Sequence, residues 1–269
     1  MASKTDYSNC WANCLGDCAE GMSGEHYISQ SVFIHGDVSV QGFSWCKEPK
    51  PIRLETLKKK ILCKKHNSQL SNIDSAARAS LDSIKGAWAL FDVRNKLRER
   101  SWSKPRFEVD MLQLERWCLK TLINLNHING CRIGYDPVNK YMPPRELVEV
   151  AFGLRRFTDG KGLYSMTIGQ HVIDFHEGAF SFSASTHEDR LVGGRLWLWG
   201  LPFYMSIHPE PIQENGKPMM RRQMKHWFQT WDDKLRQVKS HCVLFNYPPQ
   251  LASSLEPSKS QPPAPESAP

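Results

Sequence analysis

Five cysteines lie in the first quarter of this sequence, and they constrain its fold more than any other feature. Cys63 and His66 stand three positions apart, so both side chains can reach one metal ion from the first turn of a helix. Three upstream thiols, each four positions from the next, offer the remaining donors: Cys10, Cys14 and Cys18. The sequence therefore predicts a structural zinc ion held by Cys63, His66 and two of the upstream cysteines.

The choice among the upstream cysteines is open at this point, with Cys14 and Cys18 preferred and Cys10 as the substitute. Zinc knuckles usually separate their two ligands by two residues, and none of the upstream intervals matches that spacing. The competing interpretation is that all three are incidental thiols near the N-terminus.

The composition excludes fibrous, wholly disordered and membrane-spanning classes. Of the 269 residues, 40% are hydrophobic and 23% are charged. No apolar run approaches the roughly 18 residues of a membrane helix, and the N-terminus lacks the apolar core of a signal peptide. We therefore expect a cytoplasmic protein without a membrane partner, whose thiols are reduced or bound to metal. The sequence leaves the oligomeric state open.

Hydrophobic periodicity predicts an α+β chain with a helical middle and an antiparallel sheet. Apolar residues recur at helical spacing in three segments: 72 to about 100, 111 to about 130, and 143 to about 157. From Gly162 the period changes to two, which predicts antiparallel strands as far as Ile207. A closing helix is predicted from Arg221 to about Val238.

These elements suggest two domains and a tail. Residues 1–71 form the predicted zinc-binding domain, which contains too little apolar material to fold without a metal. Residues 72–247 form a helical and antiparallel-sheet domain whose role the sequence does not assign. Residues 248–269 are rich in Pro and Ser, and we expect them to be disordered.

Positive charge is concentrated beside the suspected metal ligands. The formal net charge is +7, and residues 47–66 carry eight Lys or Arg against two Glu. Such a cluster suits phosphate groups, so nucleic acid is the expected partner. The candidate nucleic-acid-binding residues are the five lysines of this stretch that lie nearest the knuckle: Lys58, Lys59, Lys60, Lys64 and Lys65.

Two segments carry a resemblance to a known family: SGEHYISQSVF at 23–33 and ILCKKHNSQL at 61–70. They contain an acidic residue beside a histidine, and then a C-x2-C/H knuckle whose next residue is His or Asn. This order resembles the HNH endonucleases, which have the ββα-metal fold and a treble-clef zinc finger. The resemblance covers about the first 70 residues and implies an HNH-like ββα finger within the α+β chain.

The resemblance also implies a reaction centre. Carried over to this sequence, it makes His26 the general base, and Glu25 and Asn67 the ligands of a catalytic Mg²⁺ or Mn²⁺ ion. A neutral imidazole can accept a proton from attacking water, while a hard cation stabilises the charge developing on a phosphate. The implied function is metal-dependent hydrolysis of phosphodiester bonds in nucleic acid, with DNA favoured.

The sequence departs from the family pattern at two positions. Lys58 stands where the middle Asn of the family is usual, and Ser29 stands where a Pro is usual. Without that Asn, the orientation of His26 has no explanation in the sequence, and Lys58 can contact phosphate instead. The alternative function is a non-catalytic zinc-finger module that binds nucleic acid or a protein partner, in which Glu25 and His26 only pack or form hydrogen bonds.

Overall fold

The structure is a computed structural model that describes residues 6–33, 37–40, 46–96, 107–134, 141–158, 160–166, 177–209, 220–221, 225–232 and 237–246. The described elements are a mixture of helices and mainly antiparallel strands, which confirms the α+β class in its coarse form. The predicted tail at 248–269 lies outside the described residues.

The N-terminal part contains a strand pair followed directly by a helix. Strand β1 (Met22–His26) pairs antiparallel with β4 (Lys58–Cys63), and helix α1 (Lys64–Lys96) starts at the next residue. A second antiparallel ribbon, β2 (Asp37–Val40) with β3 (Lys50–Arg53), is inserted between β1 and β4. The elements β1, β4 and α1 therefore have a ββα order.

Helix α1 begins at Lys64, which corrects the predicted start at residue 72. Its buried residues continue backwards from Ile73 to Leu70 and then to His66 at helical spacing. Because a histidine does not count in an apolar pattern, the periodicity did not join the helical turn predicted at His66 to the helix predicted from residue 72. The predicted domain boundary between residues 71 and 72 falls inside this helix, and one hydrophobic core contains residues from both sides of it. The division into domains stays a prediction.

Helix α2 (Met111–Asn129) is the central element of the fold and confirms the second predicted helix. The Asp110 side chain caps its start, accepting from two backbone N–H groups, and Gly130 ends it with a left-handed φ of 70°. Every residue from 117 to 126 is buried. Because a helix buried on all sides must satisfy its polar side chains internally, Lys120 and Asn124 of α2 each contact specific polar partners.

The predicted antiparallel sheet is present beside α2. Its five strands are ordered β10-β6-β9-β8-β7, and each pair of neighbours is antiparallel. A short helix, α3 (Arg145–Ala151), precedes the sheet in the chain. The strands are β6 (Gly162–Ser165), β7 (Phe180–His187), β8 (Arg190–Leu198), β9 (Leu201–Ser206) and β10 (Met220–Arg221).

The closing helix predicted from Arg221 to about Val238 is wrong. Strand β11 (Lys225–Asp232) pairs antiparallel with β12 (Gln237–Asn246), and β12 pairs parallel with β5 (Glu108–Asp110). The segment KHWFQTWD is rich in aromatic residues and contains a Thr, which favour extended backbone. The local pattern could not separate a helical from an extended period. Pairing of β11 with β12, and of β12 with the distant strand β5, selects the extended form.

A buried ammonium group joins β1, α1 and α2. The Nζ of Lys120 lies 2.7 Å from Glu25 Oε1 and 2.8 Å from Asp74 Oδ2, and the lysine side chain is only 1% exposed. The hydroxyl of Ser29 donates to Asp74 Oδ1 at 2.5 Å and accepts from Trp117 Nε1 at 2.9 Å. This network holds the strand that carries Glu25 against the central helix.

We predict that Lys120→Met lowers the free energy of unfolding by about 3–5 kcal/mol, because it leaves the buried carboxylate of Glu25 and the partly buried one of Asp74 without their cation. Urea denaturation measures the difference. The matched control is Lys96→Met, which breaks an exposed pair with Asp92 and should change stability by no more than about 0.5 kcal/mol.

The effect of Lys120→Met should also depend on pH. Burial raises the pKa of Glu25, and the charge of Lys120 lowers it. Removing Lys120 raises that pKa further, so the folded variant binds a proton more readily than its unfolded chain. Its stability deficit should therefore be largest at neutral pH and shrink as the pH falls through the raised pKa towards about 4.3, the pKa of an unfolded Glu. A small deficit that does not change with pH would contradict this assignment.

Candidate metal centre and the adjoining polar site

Three thiols and one imidazole converge at the junction of β4 and α1. His66 lies in the first turn of the helix, as predicted, whereas Cys63 is the last residue of the strand and not part of that turn. The donor atoms of Cys10, Cys18, Cys63 and His66 all lie within 4.8 Å of one another. The distances from His66 Nδ1 to the three sulfurs are 3.4 Å, 3.6 Å and 3.2 Å, in chain order.

These distances fit a tetrahedral zinc ion. Bonds of about 2.3 Å to sulfur and about 2.0–2.1 Å to nitrogen place the two donor types about 3.6 Å apart. Cys10, Cys63 and His66 are completely buried, and all four donors belong to the protein. Such a Cys₃His set can hold a structural metal such as zinc, because it leaves no position open for a substrate.

The preference for Cys14 over Cys10 is corrected by the structure. Cys14 lies in a one-turn 3₁₀ helix (Asn13–Leu15) and is exposed, and its carbonyl accepts from Arg145 Nη1 at 3.2 Å. Gly16 follows with a φ of 83°, which turns the chain back towards the cluster. Cys10 and Cys18 therefore face the site from opposite ends of this turn, a geometry that equal spacing in the sequence cannot reveal.

Asp17 is a functional residue that the sequence analysis missed. Its Oδ1 lies 2.7 Å from His66 Nε2, and its Oδ2 accepts from Lys65 Nζ at 2.6 Å. Because a carboxylate only accepts, Nε2 carries the proton and Nδ1 presents its lone pair to the thiols. The hydrogen bonds from Lys65 and His66 lower the pKa of Asp17. The available signal was an acidic residue next to a candidate cysteine ligand.

Backbone hydrogen bonds to the sulfur atoms of this cluster favour the binding of a cation. The N–H of Cys63 donates to Cys10 Sγ at 3.3 Å, and the N–H of His66 donates to Cys63 Sγ at 3.4 Å. Burial raises the pKa of Cys10, and burial together with the charge of Cys10 raises the pKa of Cys18. A metal ion bound here displaces protons from the thiols and removes their mutual repulsion.

His26, the predicted base, is half-buried at the end of β1. Its Nδ1 lies 3.1 Å from the carbonyl oxygen of Leu54, which opens a one-turn 3₁₀ helix (Leu54–Thr56) just before β4. Because a carbonyl only accepts, we assign the proton to Nδ1 and the lone pair to Nε2. Within the described residues, Nε2 has no hydrogen-bond partner. The Leu54 carbonyl thus orients the imidazole.

Glu25, a predicted ligand of the divalent ion, is 5% exposed and lies towards α2. Its Oε1 accepts from Lys120 Nζ at 2.7 Å and from Asn124 Nδ2 at 3.4 Å. Among the residues that the structure describes, no partner contacts its Oε2. Neither donor, Lys120 or Asn124, was predicted from the sequence. Their only sequence signal is a Lys and an Asn one turn apart on an otherwise buried helix.

Asn67, the other predicted ligand, lies beside β1 in the first turn of α1. Its Nδ2 donates to the hydroxyl of Ser23 at 3.0 Å. In the described part of the chain its Oδ1 accepts no hydrogen bond. Because Asn67 follows His66 directly, a metal ion bound by His66 would fix its backbone beside the strand that carries His26.

Exposed lysines surround this polar site. Within the described ranges, Lys58, Lys59, Lys60 and Lys64 are exposed and form no ion pair, whereas Lys65 pairs with Asp17. Lys58 lies opposite His26 in the β1–β4 register, so both side chains point to the same face. A positive charge therefore lies on the face that carries the imidazole.

The chain was compared with protein-family models, with curated proteins and with solved structures, and no match was found in any of the three. None of the described helices has the length and apolar character needed to cross a membrane.

We predict that protein purified without chelator contains one zinc ion per chain, and that Cys10→Ser or Cys63→Ser loses it, because three donors hold zinc more weakly than four. Cys14→Ser is the matched control and should keep a full equivalent. Metal analysis after gel filtration measures the content. Zinc loss in Cys14→Ser, with zinc retained in Cys10→Ser, would reverse the ligand assignment.

Proposed function

We propose that this protein is a metal-dependent endonuclease of the HNH type that hydrolyses phosphodiester bonds in nucleic acid, with DNA as the favoured substrate. One observation carries the proposal. Three side chains on β1 and the start of α1 are each anchored through one polar atom, and a second polar atom has no partner among the described residues. These second atoms are His26 Nε2, Glu25 Oε2 and Asn67 Oδ1.

In this proposal, His26 accepts the proton of the attacking water through Nε2. Its hydrogen bond to the Leu54 carbonyl fixes the tautomer that a general base needs and holds the ring in one orientation. Glu25 Oε2 and Asn67 Oδ1 would hold a Mg²⁺ or Mn²⁺ ion, because carboxylate and amide oxygens are hard ligands. When bound, that ion stabilises the negative charge that develops on the phosphate.

The metal centre has a structural role in this proposal. It joins the N-terminal loop with Cys10 and Cys18 to the strand end at Cys63 and the first turn of α1 at His66. Asn67 is the next residue in the chain, so the same cross-link fixes the relation of Asn67 to β1. Because the Cys₃His set is closed, it positions the residues of the site and takes no part in the reaction.

The exposed lysines supply the electrostatic part of substrate binding. Lys58, Lys59 and Lys60 occupy consecutive positions on β4, beside the strand that carries His26. Unpaired ammonium groups on a surface attract phosphates of any sequence and release counterions when they bind. They would therefore bring a backbone phosphate to the proposed base without selecting a target sequence.

One observation favours the second candidate, a non-catalytic zinc module that binds nucleic acid or a protein. Glu25 is buried and ion-paired with Lys120, so its carboxylate already has a cation. If that pair is the only role of Glu25, the chain binds nucleic acid through its lysines and cleaves nothing. The two candidates predict the same zinc content and the same salt dependence but opposite results in a cleavage assay.

We predict that wild type cleaves DNA in Mg²⁺ or Mn²⁺ and that His26→Ala slows cleavage about a hundredfold to ten-thousandfold, because a positioned base is removed. Asn67→Ala should also lose activity and need more metal. The matched control is His187→Ala, which removes an exposed histidine and should cut like wild type. A nicking assay on zinc-loaded protein decides the question, and cleavage by His26→Ala at the wild-type rate would place the base elsewhere.

We also predict that nucleic-acid binding weakens steeply with salt. Replacing Lys58, Lys59 and Lys60 with Gln should lower affinity equally for all sequences and reduce the slope of log K against log salt by about 0.9 for each phosphate that is no longer neutralised. The control is Lys85→Gln with Lys96→Gln, two lysines that already have acidic partners. Fluorescence anisotropy over a salt series measures both, and a salt-independent affinity would contradict the prediction.

A further inference from the structure

Asn124 of helix α2 lies where the metal centre meets the strand that carries His26. It is completely buried, and its Nδ2 donates to the carbonyl oxygen of His26 at 3.2 Å and to Glu25 Oε1 at 3.4 Å. Its Oδ1 accepts from Trp11 Nε1 at 3.1 Å. One side chain from the central helix thus contacts both parts of the candidate site.

The chemistry of the partners fixes the orientation of this amide. An indole N–H only donates, so the atom that faces Trp11 must be the oxygen. A backbone carbonyl only accepts, so the atom that faces His26 must be the NH₂ group. The position requires a donor and an acceptor on one short planar group, and an Asn side chain supplies both.

Both ends of this bridge belong to fixed structure. Trp11 follows the metal ligand Cys10, donates its backbone N–H to Ile61 of β4 at 3.0 Å, and is 1% exposed. Lys120 lies one turn before Asn124 on α2, and its ammonium holds the carboxylate of Glu25. Helix α2 therefore contacts β1 at two points: the side chain of Glu25 and the backbone carbonyl of His26, the proposed base.

We propose that Asn124 is a positioning residue for His26. It holds the backbone carbonyl of His26 in place relative to helix α2, so that the imidazole stays within hydrogen-bond distance of the Leu54 carbonyl and keeps its proton on Nδ1. The proposal rests on the nuclease function where it concerns rate, but its effect on the imidazole can be measured without any cleavage. Sub-ångström errors in the placement of a base already affect rate, and a 1 Å error can cost about a hundredfold.

The test compares a variant that removes the whole bridge with one that removes only the bond to Trp11. Asn124→Leu keeps the number of side-chain heavy atoms and removes both the donor to the His26 carbonyl and the acceptor for Trp11. Trp11→Phe removes only the donor to Asn124 Oδ1 and leaves the bond to the His26 carbonyl in place. The primary readout is the ¹⁵N spectrum of the imidazole side chains, in which His26→Ala identifies the His26 signals.

We expect wild type and Trp11→Phe to show His26 protonated at Nδ1. Asn124→Leu should show a mixture of tautomers while keeping one equivalent of zinc, with kcat lowered about tenfold to a hundredfold and KM changed by less than about twofold. An Asn124→Leu variant that keeps the wild-type His26 spectrum would overturn the proposal, as would an equal disturbance of the spectrum by Trp11→Phe.

The test remains decisive if Asn124→Leu does not fold or if wild type does not cleave. If Asn124→Leu does not fold, Asn124→Ala replaces it, because Ala removes the donor to the His26 carbonyl without adding volume or charge; the same spectra then decide. If wild type cleaves nothing in Mg²⁺ or Mn²⁺, the nuclease function fails. The tautomer comparison still supports or overturns the positioning role, so the two failures are distinguishable.

Discussion

The ion pairs of Lys120 are the interaction on which the rest of this structure depends. A lone ammonium group cannot be buried at acceptable cost, so its position requires Glu25 from β1 and Asp74 from α1 to be present together. The ββα elements and the central helix are therefore parts of one folded unit at this point. The same requirement turns one oxygen of Glu25 towards α2 and fixes β1 in the position from which His26 reaches the Leu54 carbonyl.

The metal centre and the buried polar network hold different parts of the site in place. The Cys₃His cluster links the N-terminal loop to the start of α1, while Lys120 and Asn124 hold β1 against α2. Both groups contribute to the relation between the strand that carries His26 and the helix that carries Asn67. A site assembled by two independent anchors keeps its geometry only when both are intact.

The sequence predicted what depends on local spacing and missed what depends on distant pairing. The Cys63 and His66 interval predicted two donors to one metal ion, and helical periodicity found α2. The upstream ligands were uncertain because a 3₁₀ turn and the left-handed Gly16 decide which thiols face inward. The segment from Arg221 to about Val238 was predicted to be a helix because the local pattern did not show that β11 pairs with β12, and β12 with β5 more than a hundred positions earlier in the chain. Lys120, Asn124 and Asp17 carry only weak signals in the sequence, because their partners come from other elements.

Gly24 shows how such a site can vary without losing its fold. A methyl group added there would lie 2.3 Å from Cε of Lys58, whose stem crosses the strand at this point. Because Lys58 is exposed and its chain is flexible, the lysine and not the core would move. A single methyl group at position 24 would therefore change the position of the Lys58 ammonium beside His26 without changing the number of charges.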